Sequence, residues 1–139
     1  MANTLSPLNA ISPIDGRYQS KTDSLSPYFS EFGLIKYRVI IEIEYLIALS
    51  ESKTTPLDFN TDQQSALRSV VKDFSEVDAL RIKEIEKITN HDVKAVEYFI
   101  KERFAGNAEL EAVSEFVELR APDAGSSSGG LSSANVRGP

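Results

Sequence analysis

The sequence predicts an all-α fold, and three observations support this prediction. Apolar residues recur with the 3.6-residue period of amphipathic helices over most of residues 31–117. The periodic segments are bounded by helix-capping residues or by Pro and Gly. No alternation of apolar and polar residues indicates a β-strand of any length. We therefore expect five helices, near residues 31–50, 62–74, 76–88, 91–105 and 108–117.

The first 30 residues are predicted to form an irregular arm that is rich in turns. Pro7, Pro13, Gly16 and Pro27 are spread along it. Proline lacks a backbone donor and glycine favours turns, so a long helix is not expected before Glu31.

The segment from Glu31 to Ser50 is predicted to form the first long helix, and it is apolar on nearly every side. Such a helix is normally buried on several sides, and one small domain can hardly cover it. We therefore expect further protein, from another domain or from other subunits, to pack against it. Arg38, Glu42 and Glu44 interrupt its apolar surface. They are interpreted as its solvated positions rather than as buried ion pairs of an oligomer, and no role is assigned to them.

The next two helices have a clear inner face and a capping signal between them. Ser75 and Asp78 have the spacing of a capping box, with Asp in place of the usual Glu. The residues expected on the inner faces are Ala66, Leu67, Val70, Val71 and Phe74 in one helix and Ile82, Ile85 and Ile88 in the other.

The fourth helix is predicted to begin beside the only histidine. Asn90 is a favourable N-cap, and Asp92 suits the positive end of the helix dipole. His91 would then lie next to free backbone N–H groups, an arrangement that can bind an anion. The residues expected in the core are Val93, Val96, Ile100 and Phe104 on one face, together with Tyr98 and Phe99.

Composition excludes several classes of function. A chain of 139 residues with 41% hydrophobic content suits one domain with a modest core. No run is long enough to span a membrane and no secretory pattern is present, so a cytoplasmic protein is expected. Zero cysteines and one histidine argue against a disulfide or a metal site, and no cofactor is expected. The net charge of −6 argues against nucleic acid as a partner.

The chain changes character at about Glu118. The last 22 residues, 118–139, are rich in Gly and Ser and contain no aromatic residue. This composition is typical of a flexible linker. We therefore divide the chain into a helical domain over 1–117 and a flexible tail over 118–139.

Three segments in register carry a resemblance to a known family. They are residues 11–18 (ISPIDGRY), 29–38 (FSEFGLIKYR) and 88–99 (ITNHDVKAVEYF). Together they resemble adenylosuccinate lyase of the bacterial type, within the fumarase and aspartase superfamily. The resemblance runs from about residue 9 to residue 117 and implies the small helical N-terminal domain of that lyase fold. It also implies a homotetramer whose active sites combine residues from three subunits. The tail departs from the family, which continues helically into a Thr-Ser substrate motif.

The resemblance implies an activity and a set of substrate contacts. The family eliminates fumarate from adenylosuccinate to give AMP, and from SAICAR to give AICAR, in purine nucleotide biosynthesis. Arg17 and Tyr18 map onto contacts to the nucleotide part of the substrate. Asn90, His91 and Asp92 map onto its substrate-binding triplet. The catalytic histidine and serine of the family lie in later segments, so we expect no catalytic residue and no activity in these 139 residues alone.

Three other interpretations remain open from the residues themselves. Arg17 could pair with Asp15 in a surface turn, and Asn90 and His91 could simply form a helix start. At the level of the whole chain, the alternative is a free-standing helical interaction module that binds a partner through the apolar 31–50 helix.

Overall fold

The computed structural model describes residues 6–108, 110, 111 and 114, and its regular structure is entirely helical, as expected. The arm holds the first helical pieces, which are short. The elements are α1 (Gln19–Thr22), a 3₁₀ turn (Asp23–Leu25), α2 (Ser26–Phe29), α3 (Glu31–Ser52), α4 (Thr61–Lys72), α5 (Glu76–Thr89) and α6 (Asp92–Phe104).

The four long helices lie within two residues of the predicted bounds. Of the fifth predicted helix, 108–117, the described positions Ala108, Leu110, Glu111 and Ser114 are helical, and the others lie outside the described residues. The predicted tail, 118–139, also lies outside them. None of the described helices combines the length and the apolar character needed to cross a membrane.

The arm contains turns and no long helix among its described residues, as predicted, and its second half holds short helical pieces. Turns extend only to Tyr18, and short helical pieces fill residues 19–29. Pro27 does not interrupt the structure because it lies in the first turn of α2, where its missing N–H would have no helical partner. A Cβ on Gly33 would clash with the Pro27 carbonyl, so this glycine allows α2 to pack closely on the start of α3.

The core lies on one face of α3 and is closed by α4, α5 and α6. Phe74 joins the layers, because its ring stacks on Phe32 at 5.6 Å and meets Phe99 edge-on at 5.8 Å between centroids. Ser50 is buried, and its Oγ accepts the Phe59 N–H at 2.7 Å, which ties the α3–α4 loop to the core. The largest fully buried side chains are Val39, Ile43, Leu46, Ile47, Leu67, Ile82, Val96, Phe99, Ile100, Phe104 and Leu110.

The opposite face of α3 is apolar but faces solvent in this chain. Leu34, Tyr37, Ile41 and Tyr45 are 51%, 43%, 65% and 46% exposed. At 3.6 residues per turn they fall within about 80° of one another. We call these four residues the α3 stripe. This exposed stripe agrees with the prediction, made from the sequence, that other protein must pack against α3.

Three residues that were predicted to be buried are exposed. Val93, Tyr98 and Ile88 retain 43%, 43% and 83% of their accessible surface. Val93 lies in the first turn of α6, at the edge of a groove that it lines with Ile41 of α3, and Ile88 lies in the last turn of α5, which none of the described helices covers. Tyr98 lies on the outer face of α6, next to the buried Phe99. The period of apolar residues identified the buried face of each helix correctly, but the prediction included residues beyond the part of that face that is buried.

Two ion pairs connect α5 and α6. Arg81 donates from Nε and Nη2 to the two carboxylate oxygens of Glu102, at 3.0 and 2.6 Å. Arg103 pairs with Asp78, whose carboxylate is largely buried and also accepts the Ser75 N–H of the predicted capping box at 2.9 Å. The Arg103–Asp78 pair joins the start of α5 to the end of α6, and the short connection at the other end of the two helices contains the only histidine.

Candidate functional site

The connection between α5 and α6 turns at Asn90, which has a different role from the predicted one. Asn90 is the C-terminal cap of α5 rather than the N-cap of α6. Its backbone is left-handed, with φ 54° and ψ 33°, and its N–H donates to the Glu86 carbonyl at 2.7 Å. Asn tolerates this conformation better than most residues, so it can end one helix and redirect the chain. Its side chain is exposed.

His91 is the residue that caps α6. Its backbone is extended, and its Nδ1 accepts the N–H of Lys94 at 3.2 Å. The Thr89 hydroxyl donates to the His91 carbonyl at 3.2 Å and holds the backbone from the other side. A neutral imidazole that accepts at Nδ1 carries its proton on Nε2. Half of the ring is exposed, and it can offer an N–H donor to a ligand. Sequence reasoning chose Asn90 because Asn is a far commoner cap than His.

Asp92 begins α6, and its carboxylate is held by two groups, the Val93 N–H and Arg38. Its Oδ1 accepts the Val93 N–H at 2.8 Å and lies 3.9 Å from Nδ1 of His91. Its Oδ2 lies 3.0 Å from Nη2 of Arg38 on α3. Sequence reasoning gave Arg38 no role. Two signals pointed to Arg38: it is a charged residue in a largely apolar helix, and it ends the segment 29–38 that carries the family resemblance.

The arm builds a second set of polar contacts around Asp15. The Asp15 carboxylate accepts the N–H of Ser12 at 2.8 Å and that of Ile11 at 3.3 Å. The bond from the Ser12 N–H is the main reason why the pKa of Asp15 is held below its usual value. A Cβ on Gly16 would approach the Pro7 carbonyl oxygen to 2.7 Å, so the turn requires glycine there. The arm therefore presents the next residue, Arg17, from a defined turn.

The surface-turn interpretation supposed an ion pair between Arg17 and Asp15, and the structure does not contain that pair. The guanidinium carbon of Arg17 lies 5.3 Å from the centre of the Tyr18 ring, a cation–π contact, and both side chains are exposed. Among the described residues, Arg17 makes no ion pair. Its fork of donors is therefore available to an anion such as a phosphate or a carboxylate.

The predicted site residues form two separate groups in this chain. Asn90, His91 and Asp92 lie together with Arg38, whereas Arg17 and Tyr18 lie in the arm. Within the described part of the chain, no hydrogen bond or ion pair connects the two groups. Each group offers donors suited to an anionic ligand, and neither contains an acid and a base placed to exchange protons with one substrate.

No protein-family model matches the chain, but curated relatives match most of it. It is 54% identical over 118 residues to adenylosuccinate lyase of Vibrio cholerae, 51% over 117 residues to that of Haemophilus influenzae and 52% over 118 residues to that of Escherichia coli K12. Each match covers 83% of this chain and 26% of the relative. The chain thus spans about a quarter of the length of these lyases, in their N-terminal part.

Proposed function

We propose that this chain, whose matched region belongs to the N-terminal part of the adenylosuccinate lyase family, supplies part of the substrate site of such an enzyme. The activity is the elimination of fumarate from adenylosuccinate to give AMP, and from SAICAR to give AICAR, in purine nucleotide biosynthesis. A C–N bond breaks while a proton leaves the carbon beside a carboxylate. The single observation that carries the proposal is an identity of 54% over 118 residues to a protein of that name.

Arg17 and Tyr18 bind the nucleotide part of the substrate in this proposal. Adenylosuccinate carries a phosphate and two carboxylates, so its site needs a planar fork of donors or several backbone N–H groups. Arg17 has such a fork without a competing carboxylate in the described residues, and the Asp15–Gly16 turn fixes its backbone. The Tyr18 ring stabilises the guanidinium from one side.

Asn90, His91 and Asp92 contact the substrate at the second group. The capping bond to Lys94 directs the Nδ1 atom of His91 into its own helix. The Nε2 atom then faces outward as a donor toward an oxygen of the substrate. In this proposal His91 orients the substrate and does not remove its proton. The exposed amide of Asn90 offers a donor and an acceptor beside it.

The acid and the base of the elimination come from the remainder of the lyase. The chain has one histidine, already engaged as a cap, and proton removal and proton delivery require two positioned groups. We therefore propose that the 139-residue chain alone is inactive, needs no cofactor and takes its place in the cytoplasm as part of a larger enzyme.

The assembly partner in this proposal is more lyase polypeptide, arranged as a homotetramer. The α3 stripe is a continuous apolar surface opposite the domain core, and Val93 of α6 lies across a small groove from Ile41. A contiguous exposed apolar surface of this kind is typical of an interface. A composite site made by several subunits also accounts for the separation of Arg17 from His91 within one chain.

The same stripe favours the alternative function, a free-standing helical module that binds an unrelated partner. A chimera separates the two. The matched region of the Vibrio cholerae lyase is replaced by that of this chain, and the gene is placed in a bacterium that lacks its own adenylosuccinate lyase. The lyase proposal predicts growth without adenine. A soluble, full-length chimera that fails to support growth would favour the module.

A further inference from the structure

We infer that Arg38 is a positioning residue for the substrate triplet 90–92 and acts through Asp92. The inference rests on the proposed function of that triplet. It assigns a role to a side chain on α3 that lies outside the triplet and does not itself contact the substrate.

The first step is the contact itself. Nη2 of Arg38 lies 3.0 Å from Oδ2 of Asp92, while Oδ1 of the same carboxylate accepts the Val93 N–H at 2.8 Å. With one oxygen held by the backbone and the other by Arg38, the carboxylate cannot rotate freely. It then remains 3.9 Å from Nδ1 of His91.

The second step is the rigidity of the support. Arg38 is followed by Val39, which is fully buried in the core, and Asp92 begins a helix whose Val96 is also buried. The pair therefore connects two elements that the core already fixes. Its side chains remain 44% and 45% exposed, and an ion pair so exposed contributes little to stability. The main effect of the Arg38–Asp92 pair is therefore to orient the Asp92 carboxylate rather than to stabilise the fold.

The third step concerns what Asp92 would do without Arg38. The first turn of α6 has backbone N–H groups without helical partners, and a released carboxylate could compete with the His91 ring for them. It would also present an unneutralised negative charge to an anionic substrate. Arg38 prevents both effects, because it draws the carboxylate toward α3 and balances its charge.

The first test uses the 139-residue chain and its single histidine. Imidazole ¹⁵N NMR at about pH 8.5 therefore reports on His91 alone. We expect one tautomer, protonated on Nε2, in the unsubstituted chain. Arg38→Met should shift the ring toward a mixture of tautomers, and Arg38→Lys should restore most of the original signal. An unchanged spectrum in Arg38→Met would overturn the inference.

The second test measures kinetics in the lyase chimera. Arg38→Met should lower kcat/KM on the order of tenfold, as small displacements of substrate-positioning groups do. Arg38→Lys should recover part of the loss. Arg38→Met should cost nothing further when Asp92→Asn is already present, because the carboxylate through which it acts is gone. A full additional loss in that background would contradict action through Asp92.

The matched control is Arg68→Met. Arg68 pairs with Glu44 at 2.9 and 3.1 Å, so it is also an exposed ion pair to α3, but it lies on α4, away from the triplet. It should leave kcat and KM unchanged. An equal loss in Arg68→Met would show that the effect is structural and would refute a positioning role. An inactive unsubstituted chimera would instead refute the proposed function, and the inference with it.

Discussion

Nδ1 of His91 accepts the backbone N–H of Lys94 at 3.2 Å, so the ring that we propose to face the substrate also caps α6. This relationship separates the two ring nitrogens. One has a structural role and the other is available to a ligand. Substitutions can therefore remove one role while keeping the other.

His91→Ala removes the cap and should lower the free energy of unfolding by about 1 kcal/mol, a typical loss for an N-cap residue. His91→Asn keeps a capping acceptor but shortens the side chain, so it should retain the stability of the chain and lose the donor at Nε2. Urea unfolding measures the first effect, and kcat of the lyase chimera measures the second. Equal stability of the Ala and Asn variants would show that the cap is unimportant. Unimpaired turnover of the Asn variant would show that the Nε2 donor is not used.

Arg17→Lys should raise KM in the chimera with a much smaller effect on kcat. Lysine keeps the charge but cannot reproduce the planar fork, and the lost charge-assisted hydrogen bond is worth about 1–3 kcal/mol. The control is Lys21→Met, which removes a neighbouring exposed charge from the same arm. An unchanged KM in Arg17→Lys would show that the guanidinium fork is not used, and a KM raised in Lys21→Met alone would indicate general electrostatic attraction instead.

Ser50→Ala should destabilise the domain by about 1–3 kcal/mol, because the buried Phe59 N–H would lose the Ser50 Oγ and find no water. Ser52→Ala is the matched control, since Ser52 lies two residues later on the same helix and is exposed. That variant should remain within about 0.5 kcal/mol of the unsubstituted chain. Urea unfolding of both variants measures the two changes in stability. Equal unfolding midpoints for Ser50→Ala and Ser52→Ala would show that the Ser50–Phe59 hydrogen bond is not a buried, stabilising contact.

Protonation of Asp15 at low pH should destabilise the turn that its carboxylate forms with Ile11 and Ser12. The pKa of Asp15 in the folded chain is lowered by the Ser12 N–H bond, so the ionised carboxylate stabilises the turn above the ordinary value of 3.8. That stabilisation is lost as the pH falls through the lowered folded pKa. The amide NMR signals of Ser12 and Ile11 should move together with an apparent pKa below 3.8. Asp15→Asn should abolish this titration. Signals that titrate in the Asn variant as well would assign the effect to another group.

Much of the fold was predictable because it is encoded locally. The period of apolar residues and the caps placed α3 to α6 within two residues of their observed bounds. Burial was harder to predict at the ends of helices. Ile88 continues the apolar face of α5, yet it is 83% exposed, because no element in the described part of the chain covers the last turn of α5. Which part of an amphipathic face is covered depends on where neighbouring helices end, and no local pattern contains that information.

The candidate site was predictable as a set of residues but not as a geometry. The prediction made Asn90 the cap, because intrinsic preference favours it over His91. In the fold, the left-handed backbone of Asn90 assigns that role to His91. The Arg38–Asp92 contact joins residues 54 positions apart on two different helices. Only the packing of α3 against α6 brings them together, so periodicity could not reveal it.

The most direct measurement of the central claim is the elimination of fumarate from adenylosuccinate by two purified proteins. One is the 139-residue chain, and the other is the Vibrio cholerae lyase carrying the matched region of this chain in place of its own. We predict conversion to AMP by the chimera, a large loss when Arg17 and His91 are both replaced by Ala, and no conversion by the chain alone. A folded chimera without activity, or one that is indifferent to the double replacement, would contradict the claim that this domain supplies part of the substrate site.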